Sequence, residues 1–138
     1  MDDAYEVAQP PTKVAEVMRA KLASSQAILE GLALGDAAQV EVNARALKNI
    51  SESGEWMTQD SPAYFAFSAR FREVCDEMTT HARAKDFKAM AGDYAHLTGS
   101  CIACHEYLRH ERETKDMPGR ISRAEPGSTG SSQSKGIR

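Results

Sequence analysis

Leu34-Gly35-Asp36-Ala37-Ala38-Gln39 is the stretch that determines how this chain of 138 residues folds. Gly35 predicts a helix end there, because glycine tolerates the left-handed backbone that closes many helices. Asp36, with Gln39 three residues later, completes a capping-box-like pattern and predicts that a second helix begins at once. Helices joined by so short a turn lie antiparallel as neighbours. The stretch therefore predicts a helical hairpin.

Apolar residues on either side of this turn recur at helical spacing. A first helix is predicted from about Pro10-Pro11-Thr12 to Leu34, and a second helix is predicted to stop around Ser53-Gly54. The predicted buried face of the first helix consists of Val14, Met18, Leu22, Ser25, Leu29 and Leu32. That of the second helix consists of Val40, Ala44, Leu47 and Ile50.

Two more helices follow, and the chain shows almost no strand pattern. Ser61-Pro62 predicts the start of the third helix, and Asp86 is predicted to cap the fourth, which runs to about Asp116. The predicted inner face of the third helix consists of Phe67, Phe71, Val74 and Met78, and that of the fourth of Phe87, Met90, Tyr94, Leu97, Cys101 and Leu108. Four amphipathic helices with short connections predict an all-α, up-down-up-down four-helix bundle.

The composition predicts one domain followed by a polar tail. The chain is 41% hydrophobic and 27% charged with a formal net charge of -3, which argues against nucleic acid or an anionic membrane surface as a partner. No apolar run approaches the roughly 18 residues that cross a bilayer. Residues 1–115 carry the helical pattern, whereas residues 116–138 are rich in glycine, serine and proline and are predicted to form a flexible tail.

Cys101-Ile102-Ala103-Cys104-His105, on the last predicted helix, has the C-x-x-C-H spacing of a c-type haem attachment site. Thiols three residues apart lie on one side of a helical turn, where they can form thioether bonds to the two vinyl groups of one porphyrin. The adjacent His105 then provides the proximal iron ligand. The motif predicts one covalent haem c, inserted between helices at one end of the bundle.

These features together resemble the class II c-type cytochromes of the cytochrome c′ family. That family carries its haem motif on the last helix of a four-helix bundle, and the motif commonly reads C-x-x-C-H-x-x-[YF]-R. Arg109 stands at the arginine position, whereas Leu108 replaces the aromatic residue and Tyr107 precedes it. The segment Asp36-Ala37-Ala38-Gln39-Val40, and Trp56 after the helix that it opens, also resemble the family.

The resemblance implies electron transfer, binding of a diatomic gas such as NO or CO, or both. In most members an apolar side chain from the first helix covers the sixth coordination position of the iron, and in the low-spin members a methionine ligates it. Met18 is the candidate ligand here, with Leu22 one turn further along. A comparison without gaps places Ala15 at the usual distal position instead, which favours an open iron site.

The resemblance has further implications for the site and for the partners. It places Arg109 near the proximal imidazole or a haem propionate, and it implies a homodimer through the first two helices. A redox partner protein is expected, although the sequence does not identify it. Because c-type haem is attached outside the cytoplasm, we expect a periplasmic protein whose export signal has been left out of this chain. No second acid–base constellation stands out, so no enzymatic activity is expected.

The remaining cysteine and histidines support weaker alternatives. A structural zinc site would use Cys101, Cys104 and two further ligands, but the chain lacks the second close ligand pair that is typical of such sites. A thioredoxin-like redox site expects a βαβ setting, which the helical pattern excludes. The other candidate zinc ligands are Cys75, His81, His105 and His110. Cys75 is predicted to be a buried thiol. The histidines expected to face solvent or form local hydrogen bonds are His81, His96 and His110, and His81 and His96 are further candidates for a sixth iron ligand.

Overall fold

The computed structural model describes residues 13–53 and 61–116, and every regular element in them is an α-helix. The helices are α1 (Lys13–Leu34), α2 (Ala37–Ser51), α3 (Pro62–Arg83) and α4 (Phe87–Asp116). The predicted all-α class and the predicted four helices are confirmed. The predicted helix start at residues 10–12, Trp56 and the predicted tail beyond Asp116 lie outside the described residues.

The chain divides into two units, Met1–Ala103 and Cys104–Arg138. The first unit contains α1, α2, α3 and the part of α4 up to Ala103, and the packing described below belongs to this unit. The second unit begins inside α4, whose described side chains there extend to Thr114. None of the described helices is both long enough and apolar enough to span a bilayer.

The predicted helix boundaries are set by local capping interactions. Gly35 has a φ of 71°, so the left-handed residue that ends α1 is glycine, as predicted. The Asp36 carboxylate accepts a hydrogen bond from the backbone N–H of Gln39 at 3.1 Å, which caps α2. Ser61 caps α3 and Asp86 caps α4 in the same way, each through the backbone N–H three residues later.

The core of the first unit is formed largely by the predicted faces of α2, α3 and α4. The members of those faces that are fully or almost fully buried are Val40, Ala44, Leu47, Phe71, Val74, Met78, Met90 and Leu97. Tyr64, Ser51 and Ser68 are also buried. The helical spacing of large apolar residues was therefore sufficient to predict which side of these three helices is buried.

The predicted buried face of α1 is wrong by about one residue. Leu22 and Leu29 are 56% and 53% exposed, whereas Lys21, Ile28 and Gly31 are the buried residues of α1. Gly31 provides the physical reason, because a Cβ atom added there would lie 3.0 Å from both the Asp36 carbonyl oxygen and a methyl group of Val40. The two helices approach so closely at Gly31 that this side of α1 must face α2.

Polar contacts between neighbouring helices show that they run antiparallel. Arg83 of α3 bonds to Glu41 near the start of α2 at 2.7 Å, and Asp76, earlier in α3, bonds to Lys48 near the end of α2 at 3.0 Å. The partners therefore run in opposite order along the two helices. Both pairs are largely solvent-exposed, so each contributes little to the free energy of unfolding. We expect their main effect to be on the register of α2 against α3.

The first part of α4 contacts both α1 and α3. The Tyr94 hydroxyl donates to the backbone carbonyl of Ser25 at 3.1 Å and lies 3.2 Å from the Ser25 hydroxyl. On its other side, α4 contributes Asp93, whose carboxylate accepts a 2.6 Å hydrogen bond from Nδ1 of His81. Within the first unit α4 therefore lies beside α1 and α3, as expected for a four-helix bundle.

Candidate functional site

The predicted haem motif lies within the unbroken helix α4. Cys101 and Cys104 are half-buried, and neither of them forms a disulfide. Three residues of helix separate them by about 4.5 Å along the axis and leave them on one side of the helix. His105 follows at an exposed position. Two thiols and an imidazole in this arrangement are the donor set that covalent haem attachment requires, so the residues present fit that group.

The motif crosses the boundary between the two units, because Cys101 belongs to the first unit and Cys104 and His105 to the second. Of the three motif residues, Cys101 is therefore the one whose neighbours in the first unit can be identified. Its level along the bundle follows from the hydrogen-bonded pair Ser25 and Tyr94. Cys101 lies two turns beyond Tyr94 on α4, and in an antiparallel neighbour the matching residue is two turns before Ser25, which is Met18.

The predicted distal residues on α1 do not occupy its buried face. Met18 and Ala15 are half-buried, and Leu22 is more exposed than either. The side chain of α1 that is buried near this level belongs to Lys21, whose residue is 8% exposed. Its ammonium nitrogen lies 4.9 Å from the centroid of the Phe71 ring of α3, so it points across the core. The structure thus brings a lysine, and not a methionine or a leucine, into the interior at this end of α1.

Cys75 is buried in α3, as predicted, and it is not joined to another cysteine. Burial, and to a smaller extent the neighbouring Asp76 and Cys101, raise the pKa of the Cys75 thiol to about 12. Lys21 acts in the opposite direction. The thiol is therefore protonated at neutral pH and a poor nucleophile.

The histidines outside the motif occupy three different surroundings. His81 is half-exposed, and its hydrogen bond to Asp93 of α4 raises the pKa of the imidazole above its ordinary value of 6.5. The predicted local hydrogen bond is therefore a bond between two helices. His96 and His110 are exposed, as predicted. In the described part of the chain, no group of three or more His, Cys, Asp and Glu side chains is arranged to hold a metal ion.

Arg109 is exposed on α4, one helical turn beyond His105. Tyr107 and Leu108, which fill the two positions before it, are half-buried. The Arg109 side chain is therefore accessible to an anionic group. Its role beside an imidazole or a propionate stays a prediction.

Lys21 is the residue that the sequence reasoning missed. The inward face of α1 repeats at steps of three, four and three residues, through Lys21, the half-buried Ser24, Ile28 and Gly31. Only Ile28 of these four is a large apolar residue, so a search for apolar spacing prefers the neighbouring face with its leucines. Gly31, one helical turn before the helix-ending Gly35, was the signal that could have corrected the choice.

Comparisons with models of known protein families, with curated proteins and with solved structures find no match to this chain. The interpretation of the site therefore depends on the geometry and chemistry of its own residues.

Proposed function

We propose that the protein is a monohaem c-type cytochrome of the cytochrome c′ type. The observation that carries the proposal is the pair of thiols at Cys101 and Cys104, outside any disulfide and three residues apart in one unbroken helix, with His105 next to them. The all-helical fold supports it, because facing helices of a bundle provide the apolar surroundings in which such a cofactor is usually held.

Each residue of the motif has a separate task in this proposal. The thiols of Cys101 and Cys104 would each hold the porphyrin through one thioether bond, formed by addition of S–H across a vinyl group with no leaving group and no oxidant. The imidazole of His105 would serve as the proximal ligand. Haem supplies reversible one-electron redox chemistry and a coordination position for a diatomic gas. Arg109 is proposed to pair with a propionate or to lie near the imidazole.

The proposed function is electron transfer, binding of a gas such as NO or CO, or both. The ligand at the sixth coordination position separates these outcomes, because a strong protein ligand favours electron transfer and an open position admits a gas. We propose a periplasmic location and a redox partner protein. The homodimer that the family resemblance implies would use α1 and α2, where Leu22, Leu29 and Val42 are exposed apolar residues.

Expression together with a haem c attachment system tests the proposal. We expect a Soret band and haem that stays with the polypeptide after acid–acetone extraction, because thioether bonds hold it. Cys104→Ser should leave one thioether and a red-shifted pyridine haemochrome. Cys75→Ser is the matched control, since this third cysteine is buried in another helix and its loss should leave two thioethers.

His105→Ala tests the proximal ligand separately from the covalent attachment. The mass of the haem adduct should persist in this variant, while the absorption spectrum should lose the signature of histidine coordination. A colourless protein from the wild-type gene, or haem that is extracted freely, would refute the proposed function. An adduct whose spectrum is unchanged by His105→Ala would show that another residue ligates the iron.

A further inference from the structure

A polar groove lies between α2 and α3 and shares no residue with the haem motif. Its volume is about 440 Å³. Small-molecule sites in proteins typically have volumes of about 300–1,000 Å³, so the groove is large enough for such a ligand. All of the side chains that line it are polar or charged. A groove with such a lining selects a hydrophilic ligand, because an apolar one would leave these groups without hydrogen bonds.

Two guanidinium groups meet at one end of the groove. Arg45 of α2 and Arg83 of α3 line it from opposite sides. Both contact the same carboxylate oxygen, Oε2 of Glu41, at 3.8 Å from Arg45 and at 2.7 Å from Arg83. Glu41 itself lies outside the lining of the groove. One carboxylate therefore holds two guanidinium groups together from outside, and one positive charge is left over at this end.

Most of the N–H donors at this end are left for a ligand. Within the described residues, Arg45 forms no hydrogen bond, and Arg83 forms one, through its Nε. The Asn49 amide and the Thr80 hydroxyl also line the groove, and within the same part of the chain neither of these side-chain groups is hydrogen-bonded. Guanidinium groups bind oxyanions through pairs of parallel N–H bonds, so these residues form a donor set for an anion.

The other end of the groove is acidic. The Lys48 ammonium lies 3.0 Å from the Asp76 carboxylate, and Asp76 and, to a smaller extent, Glu52 raise the pKa of that ammonium group. Two carboxylates thus face one ammonium, which leaves a negative charge. Glu52 is seven residues from Arg45, or about 10.5 Å along α2. An anion is therefore attracted to the arginine end, and hydroxyl or amino groups are favoured at the carboxylate end.

We propose that this groove binds a small, soluble phosphate monoester whose organic part carries hydroxyl or amino groups. The phosphate accepts hydrogen bonds from Arg45 and Arg83, and the organic part donates to Glu52. Phosphate suits the arginine end better than a carboxylate does, because its three terminal oxygens can engage two guanidinium groups at once. The proposal involves no chemical step and does not depend on the proposed haem attachment.

Titration calorimetry of the full chain tests the proposal with ribose 5-phosphate, ribose and inorganic phosphate as probes. Ribose 5-phosphate should bind with a Kd below about 1 mM, inorganic phosphate at least about tenfold more weakly, and ribose not at all. Arg45→Gln and Arg83→Gln should each weaken ribose 5-phosphate binding at least about tenfold. Arg70→Gln is the matched control, because this arginine is also exposed on α3 but pairs with Glu73. It should bind like the wild type.

Glu52→Ala tests the orientation of the ligand. It removes an acceptor for the organic part and a charge that repels the phosphate, so it should weaken the binding of ribose 5-phosphate but not that of inorganic phosphate. The side chains of Arg45 and Arg83 are 61% and 60% exposed, so their variants should keep the far-UV circular dichroism of the wild type.

Four results would overturn the proposal. The first is the absence of saturable ribose 5-phosphate binding up to about 10 mM. The second is an equal loss in Arg70→Gln, which would indicate unspecific charge attraction. The third is inorganic phosphate that binds as tightly as the ester. The fourth is sedimentation with phosphatidylcholine vesicles containing phosphatidic acid that Arg45→Gln abolishes, since the phosphate would then belong to a lipid.

Discussion

Replacing Ile28 by alanine, with Leu29→Ala as its matched control, tests which side of α1 is buried. The two residues are adjacent and similar in size, but Ile28 is 0% exposed and Leu29 is 53% exposed. Ile28→Ala removes three buried carbon groups, or about 2.4 kcal/mol at about 0.8 kcal/mol each. The cavity that is left raises the expected loss to about 3–4 kcal/mol, and the higher helix propensity of alanine offsets about 0.4 kcal/mol.

Leu29→Ala should lower the free energy of unfolding by about 1 kcal/mol, because about half of the side chain already contacts water and no closed cavity forms. Urea denaturation followed by far-UV circular dichroism measures both changes, with all proteins in the same haem state. The midpoint for Ile28→Ala should fall by about 1–2 M urea relative to the wild type, and that for Leu29→Ala by much less. Equal losses, or a larger loss for Leu29→Ala at two protein concentrations, would refute the described face of α1. A Leu29 effect that appears only at the higher concentration would instead indicate a dimer through this surface.

Two further predictions concern the turn between α3 and α4 and the contact beside it. Lys85 adopts a φ of 56°, at the position where the equivalent turn after α1 has Gly35. In urea denaturation, Lys85→Gly should therefore raise the free energy of unfolding by about 1 kcal/mol. Gly35→Ala should lower it by a similar amount. The hydrogen bond to Asp93 raises the pKa of His81, so this pair should stabilise the protein fully below pH 6.5 and lose its effect as the pH rises through the higher folded-state pKa. Urea midpoints of wild type and His81→Gln should therefore converge at alkaline pH, and a difference that is constant from acid to alkaline pH would contradict the assignment.

The features that could be predicted from the sequence are those that depend on neighbouring residues. The caps at Asp36, Ser61 and Asp86 each involve a backbone N–H three residues away, and all three form as expected. The C-x-x-C-H motif is likewise local, and the helix that contains it is continuous. Its haem chemistry stays a prediction, because a vinyl group and an iron ion are partners that the chain itself does not contain.

The features that the sequence did not reveal depend on contacts between helices. The buried face of α1 is determined by the close approach of α2 at Gly31, and the apolar spacing of α1 alone selects the wrong side. The pairing of His81 with Asp93 joins two helices across a turn, so neither residue identifies the other by its spacing. Lys21 was missed for the same reason as Ile28, since both follow from the orientation of α1 and a lysine normally indicates a solvent-exposed position.

The two hydrogen bonds between Tyr94 and Ser25 have a consequence for the order in which the chain folds. They close a loop of 69 residues, whereas the bond from the Gln39 side chain to the Ala27 carbonyl closes one of 12. The longer closure costs about 1.5 kcal/mol more in chain entropy, so we expect the α1–α2 hairpin to form early and α4 to dock against α1 late. During synthesis, the side of the bundle that carries Cys101 is then the last to close. The proposed haem would therefore reach Cys101 while this side of the bundle is still open.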